Sequence, residues 1–270
     1  MTQNLDQIGR GDEKALANNL LRALRPADLA LIQPHLEPVQ VNAGDVLFEP
    51  GDDVRHAHFP CGPSLLSFVV MLEDGRGVET ALIGREGAVG GIVSHGRLPA
   101  YSRALVQFPG LLLRIGLREL EAAKTRSPTL NHLFARYADC VMAQVFQSVA
   151  CNAAHSIEQR TAKWILAALD RTGDHEVPLT QEQLASMLGV GRSYISRIIQ
   201  SLKAQNLLRT RRGAVLIADM DGLRAKACGC NDSVRRHFDE VLSGVYPGEA
   251  ESTEQQEQSG RNAPRAQMRG

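Results

Sequence analysis

The chain has 270 residues, 43% of them apolar and 22% charged, and its 30 basic and 30 acidic side chains cancel. That length suits one large domain or two ordinary ones with a sizeable core. The balance excludes a chain that is basic throughout, so any contact with nucleic acid must come from local clustering. No apolar run approaches eighteen residues, which argues against a membrane helix. The polar start "MTQNLDQIGRGDEK" lacks the basic and apolar parts of a signal peptide, and a cytoplasmic location is expected. Cysteines at 61, 140, 151, 228 and 230 are odd in number and without framework spacing, which suits reduced thiols.

Two short helical patterns come first, "KALANNLLRAL" and "ADLALIQPHL", with Pro26 as a first-turn proline of the second. From Val39 to about Gly116 the texture is β. The runs "VQV", "DVLF", "HAHF", "SLLSFVVM", "VETALI", "SRALVQF" and "LLLRI" alternate with turn signals such as "NAGD", "EPGDD" and "EDGRG". Short strands at close turn spacing predict a barrel or a double-sheet roll. "LRELEAAKTRS" is then a short helix. "SPTLNHLFARYADCVMAQVFQSVACNAA" is a long one, with Ser127 as cap and Pro128 at its first position. Leu130, Phe134, Tyr137, Val141, Val145 and Val149 mark an apolar stripe on it. Two readings fit that stripe, a seam between two copies of the chain or packing on the chain's own roll. A break near residues 152–155 marks a hinge, followed by the helix "SIEQRTAKWILAALDRTG" closed by Gly173.

The most specific motif is "LTQEQLASMLGVGRSYISRIIQSLKAQNLL", from Leu179. Thr180 and Gln183 form a capping box, Ala185 lets two helices cross closely, and Gly189 permits a sharp turn. Ile195 and Ile198 plug the angle between them, the pattern of a DNA-reading helix-turn-helix. Residues 192–212 hold Arg192, Arg197, Lys203, Arg209, Arg211 and Arg212 and no acid. That excess is a footprint for phosphates. Thr180, Gln181, Arg192, Ser193, Tyr194, Ser196, Arg197 and Lys203 are the expected DNA-facing residues, with Arg211 and Arg212 at the tip of a wing formed by "LLRTRRGAVLIAD". From Gly248 the chain is almost devoid of apolar residues and is expected to be a disordered tail.

A β-roll, a long helix and a winged helix-turn-helix, in that order, resemble the CRP/FNR family of bacterial transcription regulators over about residues 15–228. The residues carrying the resemblance are "VNAGDVLFEPGD", "MLEDGRGVETALIGREGAVG", the long helix, "EQRTAKWIL" and the helix-turn-helix. It implies an α+β fold: a cyclic-nucleotide-binding-like, jelly-roll-like double-stranded β-helix over 13–126, a dimerisation helix over 127–152 and a DNA-binding domain over 156–230, before the tail at 248–270. It also implies a homodimer on near-palindromic double-stranded DNA, with RNA polymerase as a further candidate partner, and no enzyme activity. Ser193 stands where a glutamate is common in the family.

The resemblance also frames the glycine-rich stretch "GREGAVGGIVSHGRLPAYSRALVQ", which in cyclic-nucleotide-binding members holds the ligand's phosphate and ribose. Gly87 and Gly91 match the turn glycines, but Ile92 stands in place of the ribose-binding glutamate and Ser102 in place of the phosphate-binding arginine. Arg103 is one step late, and one step on a strand swaps faces. The effector is therefore expected not to be a cyclic nucleotide. The alternative is a cyclic-nucleotide receptor using Arg103 in a shifted register. Absence of cysteine before Cys61 argues against the N-terminal iron–sulfur cluster of the oxygen-sensing relatives, and no cofactor or metal is expected. His56, His58 and Cys61 in "HAHFPC", and Cys228 and Cys230 in "CGC", are conceivable metal or redox groups but read more simply as structural.

Overall fold

The computed structural model describes residues 17–243 except 95, 98, 174 and 175. The expected tail at 248–270, and the first residues of the 13–126 domain, lie outside the described residues. Two short helices, Asn19–Arg22 and Pro26–Ile32, precede seven strands: β1 (Glu37–Val41), β2 (Val46–Phe48), β3 (His56–Cys61), β4 (Leu65–Met71), β5 (Gly77–Ile83), β6 (Arg103–Phe108) and β7 (Gly110–Gly116). All seven coincide with the β-rich runs of the sequence. They form two antiparallel sheets, β1-β7-β3 and β2-β6-β4-β5. Gly44 and Gly51, the turn glycines flanking β2, both have left-handed φ near 90°, which a side chain resists. Val41, Phe48, Val54, Ile92, Ala104 and Val106 belong to the main apolar core of the roll.

Helix Leu117–Arg126 leads into the long helix Pro128–Ala154, whose Ser127 side chain accepts from the Leu130 backbone as the sequence predicts. The chain breaks at His155 in extended conformation, and Ser156 with Gln159 caps the linker helix Ile157–Thr172. There follow β8 (Glu176–Val177), the first helix of the helix-turn-helix (Gln181–Leu188), the recognition helix (Arg192–Ala204) and the wing strands β9 (Leu208–Arg211) and β10 (Ala214–Ile217). Two helices close the described chain, Met220–Lys226 and Cys230–Ser243. The last was not assigned from sequence, although Val234 and Phe238 are spaced by four and are buried. It lies along the long helix, where Phe238 meets Tyr137 edge to face at 6.2 Å.

The expected hinge does not separate two independent cores. Leu65, Leu82 and Phe108 of the roll share one apolar cluster with Trp164, Ile165 and Leu188 of the DNA-binding half. Phe108 packs edge to face on Trp164 at 6.2 Å. Arg171 of the linker helix pairs with Glu86 at 3.0 Å and donates to the Leu82 carbonyl and to Asn231, so one guanidinium ties three elements together. No described helix is long and apolar enough to cross a membrane.

Candidate nucleic-acid interface

The helix-turn-helix forms for the local reasons legible in its sequence. Gln183 N–H donates to the Thr180 hydroxyl at 3.2 Å and the Gln183 amide oxygen accepts from the Thr180 backbone at 2.9 Å. Gly189 has φ +69, and Val190 N–H returns to the Ala185 carbonyl, which closes the turn. Ile195, Ile198, Ile199 and Leu202 are buried against Leu184, Ala185 and Leu188. The opposite face of the recognition helix is left to solvent: Arg192, Ser193, Tyr194, Arg197, Gln200 and Lys203 are exposed and Ser196 half-exposed. The Arg197 guanidinium lies 5.4 Å over the Tyr194 ring, a cation–π contact on the exposed face of the helix.

Two expected contacts are occupied by the fold itself. The Thr180 hydroxyl both accepts from Gln183 N–H and donates to the Gln183 side chain, so it serves as a cap, while neighbouring Gln181 is half-exposed. In the wing, the Arg212-Gly213 turn places Gly213 at φ +75 and leaves Arg212 exposed. Arg211, also exposed, donates to Glu176 of β8 at 2.8 Å and is already neutralised. Among the described residues the exposed basic side chains without an ion pair are therefore Arg192, Arg197, Lys203, Arg209 and Arg212, five of the six cations.

The glycine-rich stretch is committed to internal packing. A side chain at Gly87 would collide with the Tyr137 ring, and the Tyr137 hydroxyl exchanges hydrogen bonds with the Ala88 N–H and carbonyl at 2.9 and 3.0 Å. Burial pushes the Tyr137 phenol above its ordinary range. At Gly84 a Cβ would lie 2.6 Å from the Arg171 Cβ. Ile92 is buried in the core, Gly91 is buried beside it, and Ser102 is half-exposed. Arg103 alternates with the buried Ala104 and donates to Glu49 at 2.8 Å. A carboxylate already holds that guanidinium, and its charge would repel a phosphate. A cavity of about 470 Å³ lies instead between the roll, the linker helix and the C-terminal helix, with Arg85, Glu86, Arg171 and Phe238 in its wall.

The expected stripe of the long helix needs correction. Leu130, Phe134 and Tyr137 are fully buried against the chain's own roll and C-terminal helix, Val141 and Val145 are half-buried, and only Val149 of the six is exposed. The exposed face is Ala135, Asp139, Met142, Phe146, Val149 and Ala153, spaced four and three residues apart in turn. Phe146 and Val149 are 64% and 65% exposed, unusual for large apolar side chains. The helix is apolar on two faces, and the sequence pattern mixed them.

His56 and His58 share a strand face, with ring centroids 6.1 Å apart, but period two turns Cys61 to the other side, where its thiol donates to the Phe59 carbonyl. Burial, with the His56 and Arg114 charges, lowers His58 to about 4, so it is a neutral buried ring. Cys228 and Cys230 meet neither: they converge on Cys151 and His155, which the sequence reading did not single out. The signal available was the i, i+4 spacing of Cys151 and His155 at a helix end together with "CGC".

Residues 159–226 match the family profile of the Crp-like helix-turn-helix domain. A search of curated protein sequences gave no match. The fold is similar to that of FixK2 from Bradyrhizobium japonicum (TM-score 0.62, 13% identity, covering 72% of this chain and 98% of that one). It is similar also to CLP of Xanthomonas campestris, described as a c-di-GMP-responsive global regulator (0.59, 15%, 72% and 100%). A CRP/FNR family transcriptional regulator of Thermus thermophilus, TTHA1359, is a third (0.57, 22%, 71% and 98%). The chain therefore carries a Crp-like helix-turn-helix domain over residues 159–226, behind a β-roll that shares the fold of these structures.

Proposed function

We propose that the protein acts as a cytoplasmic homodimer on near-palindromic promoter DNA and that its effector is not a cyclic nucleotide. The observation that carries the reading is the recognition helix, whose Arg192, Ser193, Tyr194, Ser196 and Arg197 face outward while its isoleucines hold it rigid. Arginine forks suit guanine edges, and hydroxyls suit phosphates or base edges. The dimer reading is supported by the exposed Met142, Phe146 and Val149 on their four-three spacing, a seam two copies would bury by pairing their long helices. Ile92 in the core and Arg103 held by Glu49 speak against the cyclic-nucleotide alternative. RNA polymerase is the partner such a regulator would address next.

The test selects binding sites from random duplexes with the full-length protein at moderate salt, alongside sedimentation to fix the oligomer. Enrichment of an inverted repeat with half-sites about one helical turn apart, bound by a dimer, is expected. Binding without sequence preference, or a monomer on a single half-site, overturns the reading.

A further inference from the structure

Three of the five cysteines leave both main cores and form a buried cluster of their own, Cys151, Cys228 and Cys230. Cys151 lies in the last turn of the long helix, and His155, four residues on, is the extended residue that caps its C-terminus. Cys228 comes from the short connection between the two final helices and Cys230 is the first residue of the last helix, where non-strand backbone lets side chains two apart point to one place. The Cys151 and Cys228 sulfurs are 3.6 Å apart, and the Cys230 sulfur is 3.5 Å from His155 Nδ1. All four donor atoms lie within 4.8 Å of one another. Gln147 donates to the Cys230 sulfur at 3.2 Å, the kind of contact that orients a thiolate ligand.

We propose that Cys151, His155, Cys228 and Cys230 form a tetrahedral site for one zinc ion that clamps the DNA-binding half to the end of the long helix. Zinc bonds of about 2.3 Å to sulfur and 2.0–2.1 Å to nitrogen set tetrahedral edges of about 3.8 Å between sulfurs and about 3.6 Å between sulfur and nitrogen. The two short separations already match those edges. A Cys₃His donor set is one that structural zinc uses, and four protein ligands leave no open position for catalysis. An iron–sulfur cluster would place its own atoms between the cysteines and needs them further apart. On binding, the three thiols give up their protons to solvent and no electron is transferred. The cross-link from Cys151 to Cys228 spans 77 residues, which include the whole helix-turn-helix, so occupancy fixes the angle at which the recognition helix is presented.

Full-length protein purified under argon with reductant, without a histidine tag, is assayed for metal by mass spectrometry. It is then stripped and titrated with cobalt(II). One zinc per chain is expected, with cobalt giving tetrahedral visible bands and sulfur-to-cobalt charge transfer. Cys151→Ser and Cys228→Ser should drop zinc to background, Cys61→Ser and Cys140→Ser should keep it, and His155→Cys should retain metal with the added intensity of a fourth thiolate. The cobalt spectrum of the unaltered protein decides the matter even where a serine variant misfolds. Absence of stoichiometric metal and of cobalt bands, iron with acid-labile sulfide, a Cys151–Cys228 disulfide in the reduced preparation, or equal zinc in folded Cys228→Ser each overturns the proposal.

Discussion

The glycine-rich stretch of the roll and the helix-turn-helix both carry motif-like sequences, and the chain uses them in opposite ways. In the roll, Gly84 admits Arg171, Glu86 pairs with it, and Gly87 admits Tyr137, so each conspicuous residue is consumed by a helix of the same chain. In the helix-turn-helix, glycine and capping residues set the turn, while Arg192, Tyr194 and Arg197 remain facing solvent. A motif retained for shape and a motif retained for contact differ in whether the polar groups have partners inside the fold. Substitutions in the first region should therefore move stability, and substitutions in the second should move binding alone.

The largest effect is expected from Arg171→Ala. It leaves Glu86 facing a buried gap and removes donors from the Leu82 carbonyl and Asn231. Breaking a buried pair from one side should cost about 3–5 kcal/mol, read by denaturant titration. A loss below about 1 kcal/mol would show that the stretch is not held by packing.

Glu79 comes next. Burial raises its carboxyl from 4.5 to about 7, against the opposing effects of the Trp164 N–H donated at 2.7 Å and the charges of Lys163 and Arg171. Its Oε2 is buried without a hydrogen-bond partner among the described residues. Between 4.5 and 7 the folded chain therefore holds a proton that the unfolded chain has lost, so this group's contribution falls as pH rises through that window and levels off above it. Glu79→Gln keeps an acceptor for Trp164 and removes the loss. It should leave stability near pH 4.5 unchanged and raise it at pH 8, by about 3 kcal/mol at most. Identical pH profiles for the two proteins would contradict the burial of this carboxyl between roll and linker helix.

Gly87→Ala should cost about 1–3 kcal/mol by overpacking against Tyr137. Adding Tyr137→Phe removes the hydroxyl nearest the new methyl, so the pair should cost less than the sum of the singles in a double-mutant cycle. Additive losses would mean that the glycine serves something other than this contact. On the other side of the comparison, Arg197→Ala should weaken specific DNA binding by about 1–3 kcal/mol and shift unfolding by no more than about 0.5 kcal/mol. A mobility shift paired with a melting curve checks both, and a fall in stability equal to the fall in binding would erase the distinction.

What the sequence disclosed follows the range of the forces involved. Strand runs, the Ser127 cap, the Thr180–Gln183 box and the Gly189 turn are decided by neighbours within a few residues, and all were legible. The seam was not. Leu130, Phe134, Met142 and Phe146 are all apolar, and only the placement of the roll and of helix Cys230–Ser243 decides which of them stay exposed. The cysteine cluster was hidden for the same reason, because 77 residues separate Cys151 from Cys228 and only the folded linker joins them.

Arg103 is the smallest test and the one that addresses the roll's ligand. Its ion pair with Glu49 is partly open to water, so Arg103→Ala should change stability by less than about 1 kcal/mol. Because the guanidinium faces Glu49 and Ala104 fills the interior position, the variant should match the unaltered protein in calorimetry with cyclic AMP and cyclic GMP, both giving no heat of binding. Heat of binding that disappears in Arg103→Ala would mean that the guanidinium leaves Glu49 for a phosphate. The roll would then join the helix-turn-helix as a region retained for contact.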